Sequence, residues 1–249
     1  FPAGAAKGVQ KVVYDPKEDK TFPAGYSISP NRPAQWTEDF TALLFGISEP
    51  KKKEEGARPA GGAETPAPGG PGAPAGPPAA AEADEDVPDL VLWHHLDPRL
   101  QSQQQVQQNS DRNFSFLSEY RVAEKKFIRL ADDDVRQVTP APKHRFAVGT
   151  DTRAYELDAS LIGLRYQDVY VIDLRTGNRT LALKKCRNFA GPSVDGTHLL
   201  YYQDGHYFAY EMATGKSYNL TKDVPASFVD EDDDHNVVQP PDRPFGWTK

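Results

Sequence analysis

The chain holds one cysteine, Cys186, one methionine, Met212, and no apolar run approaching the length of a membrane span. A lone thiol excludes an intrachain disulfide and any cysteine-rich metal site, and the missing apolar run excludes a helical membrane span. Cys186 reads as a small buried hydrophobe in a strand over 180–186. There is no HExxH pair, no glycine loop that could cradle a phosphate and no dinucleotide fingerprint. A nucleophile elbow needs Gly-x-Ser-x-Gly; Gly25-Tyr-Ser27-Ile-Ser29 comes nearest and lacks the last glycine. Helical stretches that could build a catalytic α/β layer are missing as well. No catalytic, cofactor-binding or metal-ligating residue is therefore assigned, and no cofactor is expected. The formal net charge of −7 argues against nucleic acid as a partner, because neutralising phosphates takes a basic surface. The start, FPAGAAKG, has neither an initiator Met nor a signal-peptide pattern, so a removed leader or a piece of a longer chain is expected.

What the sequence does have is β-structure, written most plainly over residues 193–221. Leu199 to Tyr202 is an apolar and aromatic run, and Asp204-Gly205 after it is a tight-hairpin pair. The alternation over His206 to Met212 follows, then a turn at Ala213-Thr-Gly-Lys216 and a third run over 217–220. Upstream, Tyr170-Val-Ile-Asp-Leu-Arg-Thr-Gly177 repeats Phe208-Ala-Tyr-Glu-Met-Ala-Thr-Gly215, the two glycines standing 38 positions apart. A degenerate third copy is read in Phe127-Ile-Arg-Leu-Ala-Asp-Asp133, 44 positions before Gly177. A repeat of roughly 40 residues made of short strands is the period of a β-propeller blade. The alternative is an unrelated series of hairpins in a sandwich. The expected fold is all-β: a partial β-propeller of about four or five four-stranded blades, from a propeller of seven or eight, with a disordered insert.

In chain order, residues 1–48 are assigned to blade strands, with extended pieces at Val9 to Tyr14, Tyr26 to Ser29 and Ala42 to Ile47. Residues 49–88 form a Pro/Ala/Gly-rich insert, too poor in apolar side chains to offset the entropy of ordering, and are expected to be disordered. The insert contributes to the low hydrophobic fraction of 38%. Strands at 42–47 and 89–93 are expected to pair across it, since long loops add little closure entropy. Residues 89–249 are assigned to further blades, truncated at the start of the next one. Within them, 97–108 reads as a short helix or a structured connection. Strands are expected at 114–122, 126–130, 135–139, 146–149, 161–165 and 169–174. Trp36-Thr37 and Trp247-Thr248 both follow proline-rich approaches and are read as the same structural position.

One charge feature is concentrated enough to be a site: Asp230, Glu231, Asp232, Asp233, Asp234 and His235. Such a run could coordinate Ca²⁺ through its oxygens or hold the cationic end of a substrate, but the EF-hand spacing is missing, and a solvated acidic loop is the plainer reading. His94-His95 is read at a strand end, where adjacent side chains point to opposite faces and do not share a metal. Sequons stand at Asn113, Asn178 and Asn219; the latter two fall at or beside turns, where asparagine is wanted for its backbone conformation.

Several stretches resemble the propeller of bacterial prolyl oligopeptidase family serine peptidases. They are Trp93-His-His-Leu-Asp-Pro-Arg-Leu-Gln-Ser-Gln-Gln104, Phe127-Ile-Arg-Leu-Ala-Asp132, Arg165-Tyr-Gln-Asp168, Asp232-Asp-Asp-His-Asn236 and Gly246-Trp-Thr-Lys249. The resemblance runs from about Gln35 to the end, apart from the insert. It implies a propeller that screens peptide substrates by size, placed before a C-terminal α/β-hydrolase domain carrying a Ser-Asp-His triad. None of the triad falls within these residues, so the chain is expected to be non-catalytic by itself. The implied partners are that hydrolase domain and peptide substrates, with no nucleic acid and no membrane span. The expected location is periplasmic or secreted, with the cytoplasm as the alternative. A stand-alone periplasmic propeller that binds proteins is the competing function.

Overall fold

The short β-branched and aromatic runs pair with their neighbours along the chain, so antiparallel meanders dominate. The computed structural model describes residues 13–50, 94–235, 237–244 and 246–248, with only the backbone at 160 and 161. The sheets all lie in one compact unit, Phe1–Pro50 with Leu96–Lys249; of the second unit, Lys51–His95, only His94 and His95 are described. The expected insert therefore falls almost entirely outside the described residues.

The first sheet contains β1 (Ser27–Ile28), β2 (Gln35–Trp36) and β3 (Ala42–Ser48). After the helix α1 (Gln101–Arg112) it continues with β4 (Phe116–Arg121) and β5 (Lys126–Arg129). β1 and β2 share one edge of β3, at Ile47–Ser48 and Leu43–Leu44, and β4 runs along the whole of the other. The second sheet is β6 (Gln137–Pro140), β7 (Phe146–Asp151), β8 (Gln167–Asp173) and β9 (Arg179–Cys186), with the helix α2 (Glu156–Ile162) between β7 and β8. The third is β10 (Asn188–Pro192), β11 (His198–Gln203), β12 (His206–Glu211) and β13 (Lys216–Asn219). The second and third sheets keep strand order equal to chain order, and every pairing in the three sheets is antiparallel.

Apolar layers stack the sheets in series. Leu44, Leu117 and Ile128 of the first meet Ala147, Ile172 and Leu174 in one core cluster. Val148, Val169 and Leu183 of the second meet Leu199, Tyr201 and Tyr210 of the third in another. Alternation along β11 then puts Leu200 and Tyr202 on the far face, with Tyr207, where Phe228 and Trp247 cover them. Successive meanders stacked face to face form a partial β-propeller. Three sheets are complete among the described residues. The other strand-like pieces counted toward four or five blades are absorbed: β1 and β2 join the first sheet, and 222–244 carries a single bridge, Val229 to Pro241.

The strand expected at 89–93 lies outside the described residues. Three expectations are corrected. The strand expected at 161–165 gives way to α2, whose Glu156 and Asp158 favour the first turn and whose end is capped by Gly163 at φ +72°. Among the described residues α-helix is confined to α1, of 12 residues, and α2, of 7. The segment read as the third repeat copy contains β5, a fourth strand, whereas Gly177 and Gly215 follow third strands. The true equivalent follows β4, where Lys125 takes the left-handed conformation (φ +50°) that glycine holds at 177 and 215 (φ +78° and +73°). Val13 and Tyr14 are not in a strand; the Tyr14 ring instead packs 4.0 Å from that of Tyr120.

Candidate functional site

In an antiparallel meander the first-to-second and third-to-fourth turns lie at one end, and the remaining connections at the other. The end with the first-to-second turns carries one turn three times. Thr37 N–H donates to Ala42, Ala141 N–H to Phe146 and Ser193 N–H to His198, the same five-residue closure in each sheet. Phe40, His144 and Gly196, at φ +55°, +49° and +67°, make the left-handed step. In the first sheet Thr37 Oγ1 donates to Asp39 Oδ1 at 2.6 Å, and Asp39 accepts from the Thr41 amide and hydroxyl. The third repeats this atom for atom: Ser193 Oγ donates to Asp195 at 2.5 Å, and Asp195 accepts from Thr197 N–H and Oγ1. Donation from Thr37 and Ser193, respectively, holds the Asp39 and Asp195 carboxyls at about 2. This hydroxyl-and-carboxylate signature was readable in Thr37-Glu-Asp39 and Ser193-Val-Asp195, and it marks the starts of the first and third blades.

Ser193, Asp195 and His198 also line a cavity of about 350 Å³, together with Lys143, Val194 and Trp247. The trio has the residue types of a serine nucleophile site but not its wiring. The Ser193 proton goes to a carboxylate too acidic to act as a base, and Ser193 Oγ accepts the His198 amide at 3.0 Å. The His198 ring Nδ1 is engaged by Thr197 Oγ1 at 2.7 Å. The first sheet builds the same clamp with no histidine. These groups hold a turn.

The long connections collect at the opposite end. They include α1, the α2 segment and the acidic loop. Asp230 N–H donates to Pro240 and Asp242 N–H to Phe228, so Asp230 to His235 ride on a hairpin. Phe228 packs edge-on against Tyr207, whose hydroxyl donates to the Asp242 carbonyl. Asp230 Oδ1 accepts the Asp232 amide. Asp233 Oδ1 accepts the His235 amide at 2.8 Å and lies 2.7 Å from its ring Nδ1, contacts that lower the Asp233 carboxyl. Of the six candidate residues the fold gathers Asp233, Asp234 and His235, whose ligand atoms lie within 4.8 Å of one another. Asp230, Glu231 and Asp232 lie outside that group, and all but Asp233 are exposed. The rings of His94 and His95 lie 4.3 Å apart, tilted by 37°, rather than pointing to opposite faces, because the pair lies outside any strand. Cys186 is buried as expected, and burial pushes its thiol up to about 11.

A second cavity, about 250 Å³, lies where the second and third sheets meet at their first strands. Gln137, Thr139 and Thr150 supply its polar wall and Val148, Phe189 and Pro192 its apolar one. β6 and β10 end their sheets, so each offers an edge that no strand of its own sheet pairs. Sequence reasoning found β6, at 135–139, but neither β10 nor the groove, which needs residues from two stacked sheets.

No protein-family model matches this chain, and no curated protein sequence does. Among solved structures it is similar to TolB from Acinetobacter baumannii, at 11% identity and a TM-score of 0.30. That match covers 79% of this chain and 32% of the other, and a likeness of this degree bears on neither activity nor partners.

Proposed function

We propose that the chain is the substrate-gating, non-catalytic propeller portion of a serine peptidase similar to the prolyl oligopeptidase family. The observation that supports the reading most is the serial stacking of meanders whose first strands, β6 and β10, flank a groove of mixed polarity. A groove with free strand edges and small polar side chains suits the passage of extended peptides and excludes folded proteins by size. The sequence stretches quoted above support the same family. In this reading the hydrolase chemistry belongs to a following domain and the location is periplasmic or secreted. Among the described residues no helix is long and apolar enough to cross a membrane.

The test is labelling with a fluorophosphonate probe, which reacts with activated serines. The chain alone is expected to stay unlabelled. The longer protein is expected to label at one serine beyond Lys249 and to cleave short peptides faster than folded proteins. Labelling of the chain itself would overturn the division of labour. A longer protein that never labels would leave the binding scaffold as the reading.

A further inference from the structure

Two arginines, one on the first sheet and one at the entry to the second, lack acidic partners, and one aromatic ring joins them. Among the described residues the arginine ion pairs belong to Arg99, Arg121, Arg153 and Arg179. Arg129, on β5, and Arg136, just before β6, make none. The Arg129 guanidinium carbon lies 4.8 Å from the Phe116 ring centre and 4.9 Å from that of Tyr26. The Arg136 guanidinium carbon lies 4.4 Å from Phe114 and 5.9 Å from the same Phe116. Phe114 and Phe116 meet edge to face at 5.0 Å.

A guanidinium held over aromatic rings keeps N–H groups for acceptors at its edge, the geometry that suits a planar oxyanion. Arg129 spends Nε on the Ala131 carbonyl at 2.9 Å, while its buried Nη2 has no acceptor. Its cross-strand neighbour is Ser118, a fully buried residue whose Oγ also lacks a partner. Buried polar atoms are nearly always satisfied, and two orphans facing each other across a ladder call for a missing polar group. Arg136 is exposed and Arg129 half-buried, so the pair reaches solvent.

We propose that Arg129 and Arg136, framed by Tyr26, Phe114 and Phe116, form a carboxylate-binding site. Its ligand is a peptide carboxylate, either the chain terminus or an acidic side chain. The inference does not depend on the peptidase reading, since it makes no use of a reactive serine.

The experiment is calorimetric titration of the chain with acetylated tri-alanine bearing a free carboxylate. Parallel titrations use the same peptide as its amide and an amidated peptide with one internal Glu. Either carboxylate peptide is expected to bind at least tenfold more tightly than tri-alanine amide, and which of them does so identifies the source. Arg136→Ala and Arg129→Lys are each expected to weaken that binding about tenfold, the lysine because it cannot both stack and present a fork. Should Arg129→Lys fail to fold, Arg136→Ala decides alone, because that residue is exposed. Equal affinity for carboxylate and amide, no binding of either, or binding unchanged in the variants would overturn the site.

Discussion

The turns that open the first and third sheets are held by their own side chains; the equivalent turn of the second sheet has none to spare. Thr37 with Asp39, and Ser193 with Asp195, close their turns locally, whereas Ala141-Pro142-Lys143-His144 has neither hydroxyl nor carboxyl. It nonetheless keeps two left-handed non-glycine residues, Lys143 and His144, each an expense of about 1 kcal/mol. Its neighbours supply the restraint. His144 Nδ1 accepts the Glu38 amide at 3.3 Å, and Gly196 sits against the Pro142 carbonyl. One backbone shape is thus reached by local chemistry in two sheets and by neighbour contact in the third.

The sharpest way to break this contrast is Gly196→Ala. A Cβ there would lie 1.9 Å from Pro142 O, on a backbone already at φ +67°. We expect a loss of about 3 kcal/mol or more, read from the urea midpoint. Phe40→Gly, at the same turn position of the first sheet, is expected to change stability by under about 1 kcal/mol, since relief of left-handed strain offsets the added chain entropy. Equal effects would mean that the turns do not lean on one another.

The next effect separates the sheets by pH. Two residues before the end of each third strand stand Glu119, Val171 and Ala209, all buried. Glu119 Oε1 accepts from Arg121 at 3.1 Å and Oε2 has no partner; burial pushes the carboxyl up to about 7 against the pull of Arg121. A carboxyl whose folded value lies above its unfolded value costs nothing when protonated. Stability should therefore be greatest below about pH 4.5, fall as the pH rises toward 7 and level off above it. Glu119→Gln should remove that fall and gain on the order of 2 kcal/mol at pH 8. Parallel melting curves for the two proteins across pH 4 to 8 would refute it.

Asp39→Ala comes third, at about 1 kcal/mol for an exposed clamp of hydroxyl and amide hydrogen bonds. Its carboxyl has the opposite sign from Glu119: depressed to about 2, it stabilises the turn fully above its unfolded value near 4 and loses that contribution as the pH falls toward 2. The penalty of the substitution should shrink over that window in acid titrations followed by circular dichroism. Smallest is Lys143→Ala. The Lys143–Glu38 pair is 3.9 Å apart and more than half exposed on both sides, so less than about 0.5 kcal/mol should be lost.

Local signals were legible in the sequence; those that depend on a second sheet were not. Asp204-Gly205 announced its hairpin, and both residues take positive φ, +50° and +81°. Gly177 and Gly215 marked two blades, but Lys125 hid the third, because glycine is only the cheapest occupant of a left-handed position. The leucine and isoleucine of α2 looked strand-like until Gly163 is taken as a helix cap. Glu119 sits in Phe-Leu-Ser-Glu-Tyr-Arg, an alternation that places it on the face toward the second sheet, and nothing local warns that this face is buried. The acidic run was visible from composition, yet only the hairpin geometry separates Asp233, Asp234 and His235 from the rest.

The split first sheet has a consequence for the order of assembly. Between Ser48, the end of β3, and Phe116, the start of β4, lie 67 residues, against two between β11 and β12. Closing the longer connection costs about 3 kcal/mol more in chain entropy. At a synthesis rate of about 5–20 residues per second, β3 waits on the order of ten seconds for its long-edge partner. Of the three sheets, the one that contains β3 therefore takes the longest to complete after its own start. Throughout that wait the apolar edge of Ala-Leu-Leu-Phe-Gly-Ile stands open to any other nascent chain.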